Sequence, residues 1–143
     1  MTDFNLNQFL PYQLAAVAQR VSRDFAETYR RDFGITIPEW RVLAHLAHEG
    51  QVSVRDIHLR VGMDKSKVSR AASRLQAAGH ITKLANRDDR RLVALSLTPQ
   101  GRGLMDKLIP VALRYQQALI ERLGPHAAGL ADGLGVILRE GGA

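Results

Sequence analysis

The sequence predicts a mainly α-helical chain carrying one small β-hairpin, and three observations lead there. Apolar residues return at steps of three and four through most of the 143 residues, the period of a helix with one buried face. The exceptions are two short segments, Ile81–Ala85 and residues 92–97, which are alternating or branched and apolar and flank the polar hexapeptide 86–91. Glycine, proline and capping residues punctuate the periodic stretches at nearly every boundary.

Length and composition suit a single packed domain with some appended helix. Apolar residues make up 45% and charged residues 24%, which permits a core and argues against disorder. No apolar run approaches the roughly 18 residues of a membrane span, so no membrane partner is expected. The opening stretch MTDFNLNQFLPYQL lacks a basic region followed by an apolar core and does not read as a secretory leader. The absence of cysteine excludes disulfides, thiolate metal sites and thiol redox switching, and it fits a cytoplasmic protein.

The first helix places Leu10, Leu14, Val17, Val21, Phe25 and Tyr29 on one stripe and closes near Gly34. Thr36 and Glu39 have capping-box spacing for a second helix in which Trp40, Leu43, Ala44 and Ala47 recur at helical spacing and which ends at Gly50. Ser53 caps a short third helix, with Val54, Ile57 and Val61 as its buried face and Gly62 as its stop. Asp64 caps a fourth, whose inward side is Val68, Ala71, Ala72, Leu75 and Ala78. Two short helices joined by a glycine-containing turn have helix-turn-helix spacing. The hairpin follows as a wing. Thr98 and Pro99 then open a long helix to about Leu123, with Pro110 expected to kink it, and a last helix covers about 126–139. The fold class is therefore mainly α with a small β-hairpin wing: a winged helix-turn-helix with N- and C-terminal dimerisation helices. Its parts are residues 1–34 (N-terminal dimerisation helix), 35–99 (DNA-binding block) and 100–143 (C-terminal dimerisation helices).

Charge localises the function. The net charge is +6, and residues 51–91 hold ten basic and four acidic side chains, so the whole excess falls in that segment. A basic block on a folded element is the footprint of a phosphate-backbone binder. On the fourth helix Lys65, Ser66, Lys67, Ser69, Arg70, Ser73 and Arg74 are left outward or lateral, and residues 65–78 contain no acid. A face serving only solubility would mix acids with bases. Small hydroxyls let a helix approach the major-groove floor, where Lys and Arg reach guanine edges or phosphates. Ser53 and Arg55 at the start of the preceding helix join this set. In the hairpin tip Arg87, Arg90 and Arg91 suit a narrow minor groove, and at least one of Asp88 and Asp89 is expected to orient a neighbouring arginine. The expected partner is double-stranded DNA.

At this point the residues resemble the multiple antibiotic resistance regulator (MarR) family over nearly the whole chain. The resemblance rests on Glu39-Trp40-Arg41-Val42-Leu43, on residues 57–70 across the helix pair, and on residues 75–81 after it. It continues through Asp88-Asp89-Arg90-Arg91 in the wing and Leu97-Thr98-Pro99-Gln100-Gly101 beyond it. It implies a homodimer on near-palindromic operators, usually repressing, with release by a small molecule. The family's wing often begins with an acid where this chain has Asn86. A dimer also follows from the apolar stripes. Phe9, Leu10, Leu14, Leu108, Val111, Leu119, Leu130, Leu134, Ile137 and Leu138 are more than a winged domain of ~75 residues can cover.

Tyr12, Arg20, Trp40, Arg41, His45 and Tyr115 are candidates to line an effector pocket, whose aromatic faces and arginines suit a small aromatic carboxylate or phenol. No cofactor is expected. His45, His48, Glu49 and His58 read as surface or packing residues rather than metal ligands. No glycine-rich phosphate loop, nucleophile elbow or paired His/carboxylate motif marks an enzyme. The competing reading is a winged-helix protein-interaction module without specific DNA binding.

Overall fold

The computed structural model describes residues 3–85 and 93–141, apart from the side chains of residues 61, 140 and 141. Six α-helices are described: α1 (Leu10–Phe33), α2 (Ile37–Glu49), α3 (Val54–Val61), α4 (Lys65–Ala77), α5 (Pro99–Leu123) and α6 (Ala127–Gly141). Three strands accompany them: β1 (Gln51–Ser53), β2 (Ile81–Ala85) and β3 (Val93–Leu97). No described helix is long and apolar enough to cross a membrane.

The sheet corrects the expected two-stranded hairpin. Its order is β1-β3-β2, with β3 central and both neighbours antiparallel to it. β1 pairs Gln51 with Ser96 and Ser53 with Ala94, while β2 runs from Ile81 opposite Leu97 to Ala85 opposite Val93. The third strand protects the edge of β3 next to α3, where Val52 is buried beside Leu95.

Most expected helix ends are realised. The Thr36 hydroxyl accepts the Glu39 N–H and donates to the Glu39 carboxylate, a variant of the capping box. Ser53 Oγ accepts the Asp56 N–H at 3.0 Å. Gly62 takes the left-handed conformation (φ 65°) that the turn between α3 and α4 requires. Asp64 stands at the cap of α4, but its carboxylate makes no capping hydrogen bond, so it acts there only as a charge near the helix start.

The chain divides into two compact units, residues 1–108 and 109–143. The division falls within α5, just before Pro110. In the first unit Val42, Leu43 and Leu46 of α2, Ile57 of α3, Val68, Ala71, Ala72 and Leu75 of α4, and Ile81 and Leu95 of the sheet form one core with Ala26 and Tyr29 of α1. Two expectations are revised. Ala78 is exposed beyond the end of α4 rather than on its buried side. Leu108, expected at a dimer surface, is fully buried in the core of a single chain, so a partner is not what covers it.

The stripe on α1 is also divided. Its second half packs inward through Phe25, Ala26 and Tyr29, while Leu10 and Val17 remain 59% and 56% exposed. In the second unit no described residue is buried. Leu113, Ile120, Leu130, Leu134, Ile137 and Leu138 all present apolar surface.

Candidate nucleic-acid interface

The packing of α4 decides which of its side chains are available. Val68, Ala71, Ala72 and Leu75 fill the core at helical spacing, so the opposite face must carry the rest. Lys65, Ser66, Lys67, Arg70, Ser73 and Arg74 are exposed there, and Ser69 is half-buried at the flank. The turn feeding α4 is fastened by a contact between the His58 imidazole Nδ1 and the carbonyl of Met63. This contact ties α3 to the turn ahead of the first residue of α4.

Among the described residues no ion pair compensates the charge on this face. Among the described residues the ion pairs are Arg31 with Asp32 and Arg60 with Glu49. Arg55, Lys65, Lys67, Arg70 and Arg74 take part in neither, and no acid occupies the first turn of α4. Arg60, the other arginine of α3, is instead neutralised by Glu49 at the end of α2. Its hydrogen bond holds that carboxyl below its ordinary value, and Arg60 itself is raised by the same bond. The helix pair thus separates a structural arginine from a set of cations that join no ion pair among the described residues.

One candidate keeps the capping role that its spacing predicts, and another plays a part that spacing did not foresee. Ser53 commits its hydroxyl oxygen to capping α3 and is half-buried at the end of β1. Ser73 accepts a hydrogen bond at 2.9 Å from the ammonium of Lys83 on β2. Lys83 was missed in the sequence because strand alternation places it beside no recognisable motif. Its position next to α4 emerges only from the return of β2 along that helix. Thr82 and Ser96 add a cross-strand hydroxyl pair at 2.9 Å, bracing β2 against β3. Arg87, Asp88, Asp89, Arg90 and Arg91 lie outside the described residues.

Among the described residues of the first unit, the effector candidates meet different surroundings. Trp40 packs against the core, stacked on Tyr29 at 5.7 Å and edge-on to Phe25 at 5.1 Å between ring centroids. Burial of Tyr29 pushes its hydroxyl up to about 12, against the lowering influence of Arg41 and Arg30, so the phenol is neutral at physiological pH. His45 turns its Nδ1 to the Arg41 carbonyl at 2.7 Å. Tyr12 and Arg20 line a shallow cleft of about 310 Å³ along α1. Arg41 lines a separate cleft of about 500 Å³ and donates to Ser22 Oγ at 3.3 Å. Tyr115 belongs to the second unit. Periodicity does not tell which opening each of these side chains meets.

Comparison with known proteins agrees with this arrangement. Residues 33–92, from the end of α1 to the residue before β3, match the model of the MarR family. The HTH-type transcriptional regulator TtmR of Methylorubrum extorquens is 33% identical over 104 residues, which cover 71% of this chain and 53% of that protein. The HTH-type transcriptional repressor MdtR of Bacillus subtilis is 33% identical over 101 residues, covering 71% and 61% respectively. The chain therefore spans between half and two thirds of the length of these relatives. Among solved structures, one on the regulation of DNA binding of Bordetella bronchiseptica BpsR by 6-hydroxynicotinic acid is similar with a TM-score of 0.76. That similarity comes at 25% identity and covers 97% of this chain and 96% of that one. On fold, motif and relatives together, the chain belongs to the MarR family of transcriptional regulators.

Proposed function

We propose that this chain is a homodimeric, sequence-specific binder of double-stranded DNA that represses by occupying a near-palindromic operator and is released by a small aromatic carboxylate or phenol. The observation that carries the reading is the exposed, acid-free face of α4, where Lys65, Lys67, Arg70 and Arg74 are unpaired among the described residues. Such a face would enter a major groove, with Arg55 on the backbone and the wing arginines in the adjoining minor groove.

In this reading residues 1–34 and 100–143 supply the dimer and residues 35–99 read DNA. The second unit, none of whose described residues is buried, gains the cover that its leucines and isoleucines lack. A two-fold dimer sets its recognition helices about 34–36 Å apart, one turn of duplex. Repression is suggested by MdtR, and a carboxylate effector by BpsR with 6-hydroxynicotinic acid. No chemical step is assigned to the protein.

The test is binding to the DNA flanking its own gene against a random duplex of equal length, titrated in salt. Preference for one near-palindrome, with steep loss of affinity as salt rises, is the expected result. No binding even at low salt would transfer the cationic face to a protein partner.

A further inference from the structure

We propose that Arg70 is the residue of α4 that reads sequence, that it does so by donating to N7 and O6 of a guanine, and that Lys65, Lys67 and Arg74 bind only the phosphates on either side of it. The inference rests on the operator-binding reading above, and it specifies a base that each half-site must contain.

An α-helix turns about 100° per residue, so the residues that fill the core fix which line of α4 faces directly away from it. Val68, Ala71, Ala72 and Leu75 are the buried ones. The opposite line runs through Ser66, Arg70, Ser73 and Ala77, at steps of four, three and four, and all four are exposed. Lys67 and Arg74 lie together on one side of that line, and Lys65 and Gln76 lie on the other. Arg70 is therefore the one long side chain on the line, with two serines and an alanine as its neighbours along it.

This pattern divides the cations by what they can reach. Small residues before and after Arg70 let the helix approach the groove floor, where the guanidinium meets base edges. Side chains on the flanks meet the groove walls, where the phosphates run. A lysine there supplies a point charge, which positions the helix and carries no sequence information. Arg74 has the same fork as Arg70, but it stands on a flank and in the last turn of α4. Base contacts come from the N-terminal part of a recognition helix.

Donor chemistry then selects the base. A guanidinium only donates, and guanine alone presents two acceptors, N7 and O6, side by side in the major groove. Adenine sets a donor beside its acceptor and suits an amide, while cytosine offers a donor and suits a carboxylate. The exposed line holds neither an amide nor a carboxylate. Ser73 adds to the same polarity: its oxygen accepts from the Lys83 ammonium at 2.9 Å, and its own hydrogen is left to donate. Arg70 joins no ion pair among the described residues, so none of their carboxylates holds its fork.

Selection from a randomised duplex library with the full chain tests the assignment before any operator is known. The native chain should enrich a motif with a guanine in each half-site. Arg70→Ala should enrich the same motif with that position open to all four bases. Arg70→Lys should keep the native salt dependence while losing most of the guanine preference. Arg74→Ala should leave the motif unchanged, with affinity lower on every sequence and a shallower salt dependence. Replacing the selected guanine by 7-deazaguanine removes N7 and leaves base pairing intact. It should weaken the native chain about fivefold per half-site and leave Arg70→Ala indifferent. Circular dichroism checks the fold of each variant. The proposal is overturned by a motif without guanine, by a guanine that survives in Arg70→Ala, by a native chain indifferent to 7-deazaguanine, or by a base that opens in Arg74→Ala instead. Enrichment of no motif by the native chain would strike the operator reading itself, and this assignment with it.

Discussion

The ammonium of Lys83 on β2 reaches 2.9 Å to the hydroxyl of Ser73 on α4, joining the strand that leads into the wing to the helix proposed to read DNA. Lys83→Met should therefore weaken operator binding while leaving the melting temperature nearly unchanged, because an exposed hydrogen bond contributes about 1 kcal/mol or less. If the pair acts as one unit, the double variant with Ser73→Ala loses little more affinity than the worse single variant. Fluorescence anisotropy at several salt concentrations measures this. Strictly additive losses would mean that the two residues meet DNA independently.

Arg70 and Arg60 provide a contrast within the helix pair. Arg70 is exposed and unpaired among the described residues, whereas Arg60 is bonded to Glu49. Arg70→Glu should cost at least about 1–3 kcal/mol of operator affinity and flatten the salt dependence, with dimer and secondary structure intact. Arg60→Gln should change operator affinity little. An Arg70→Glu protein with native affinity would remove α4 from the interface.

Much of this arrangement was readable from the sequence because the signals were local. Thr36, Ser53 and Gly62 mark helix ends through bonds or backbone angles formed within a few residues, and the structure contains each of them. What stayed hidden was decided at a distance. Gln51-Val52-Ser53 is too short to show alternation and becomes a strand only because β3 lies beside it. Leu108 and Leu134 look alike in an apolar stripe, yet one fills the chain's own core and the other is 39% exposed. Periodicity says that a face is apolar, not what covers it. Trp40 illustrates the same limit, since an indole suited to a ligand pocket is stacked on Tyr29 instead.

The junction between α4 and α5 leaves no room at residue 101. The Thr98 hydroxyl donates to the Gly79 carbonyl at 2.6 Å and accepts the Gly101 N–H at 2.9 Å, while the Thr98 N–H donates to the His80 carbonyl. A Cβ at Gly101 would overlap that His80 carbonyl oxygen, a backbone atom that cannot rotate away. Gly101→Ala should destabilise the protein by about 2–4 kcal/mol, read as a lower denaturation midpoint. Gly103→Ala, where a Cβ meets nothing within 4 Å, is the control and should be neutral or slightly stabilising.

The Glu49–Arg60 pair predicts a small acid dependence. The Arg60 hydrogen bond lowers the Glu49 carboxyl from its ordinary 4.5. A carboxyl depressed by folding contributes stability above its unfolded value and loses it as pH falls through its folded value. Melting curves of the native chain and Glu49→Gln should therefore differ slightly at pH 6 and converge by pH 3. Both groups are exposed, so the gap should be small beside that of the Gly101 variant. A gap that persists unchanged at pH 3 would assign it to something other than this pair.

The apolar surface of α6 is the one that the proposed dimer is expected to cover. Leu130, Leu134 and Ile137 recur at steps of four and three, and they are 43%, 39% and 50% exposed in the single chain. The same helix contains Gly129, Gly133 and Gly135, each costing ~1 kcal/mol of helical preference, so its stability must come from packing. Leu134→Arg places a charge where the partner is expected and should convert the protein to a monomer by sedimentation equilibrium, with α6 losing helicity. Operator affinity should fall with dimerisation, because one half-site then binds without the second. A dimer that persists in Leu134→Arg but is lost in Leu10→Arg would move the interface to the exposed first half of α1, where Leu10 and Val17 present the alternative surface.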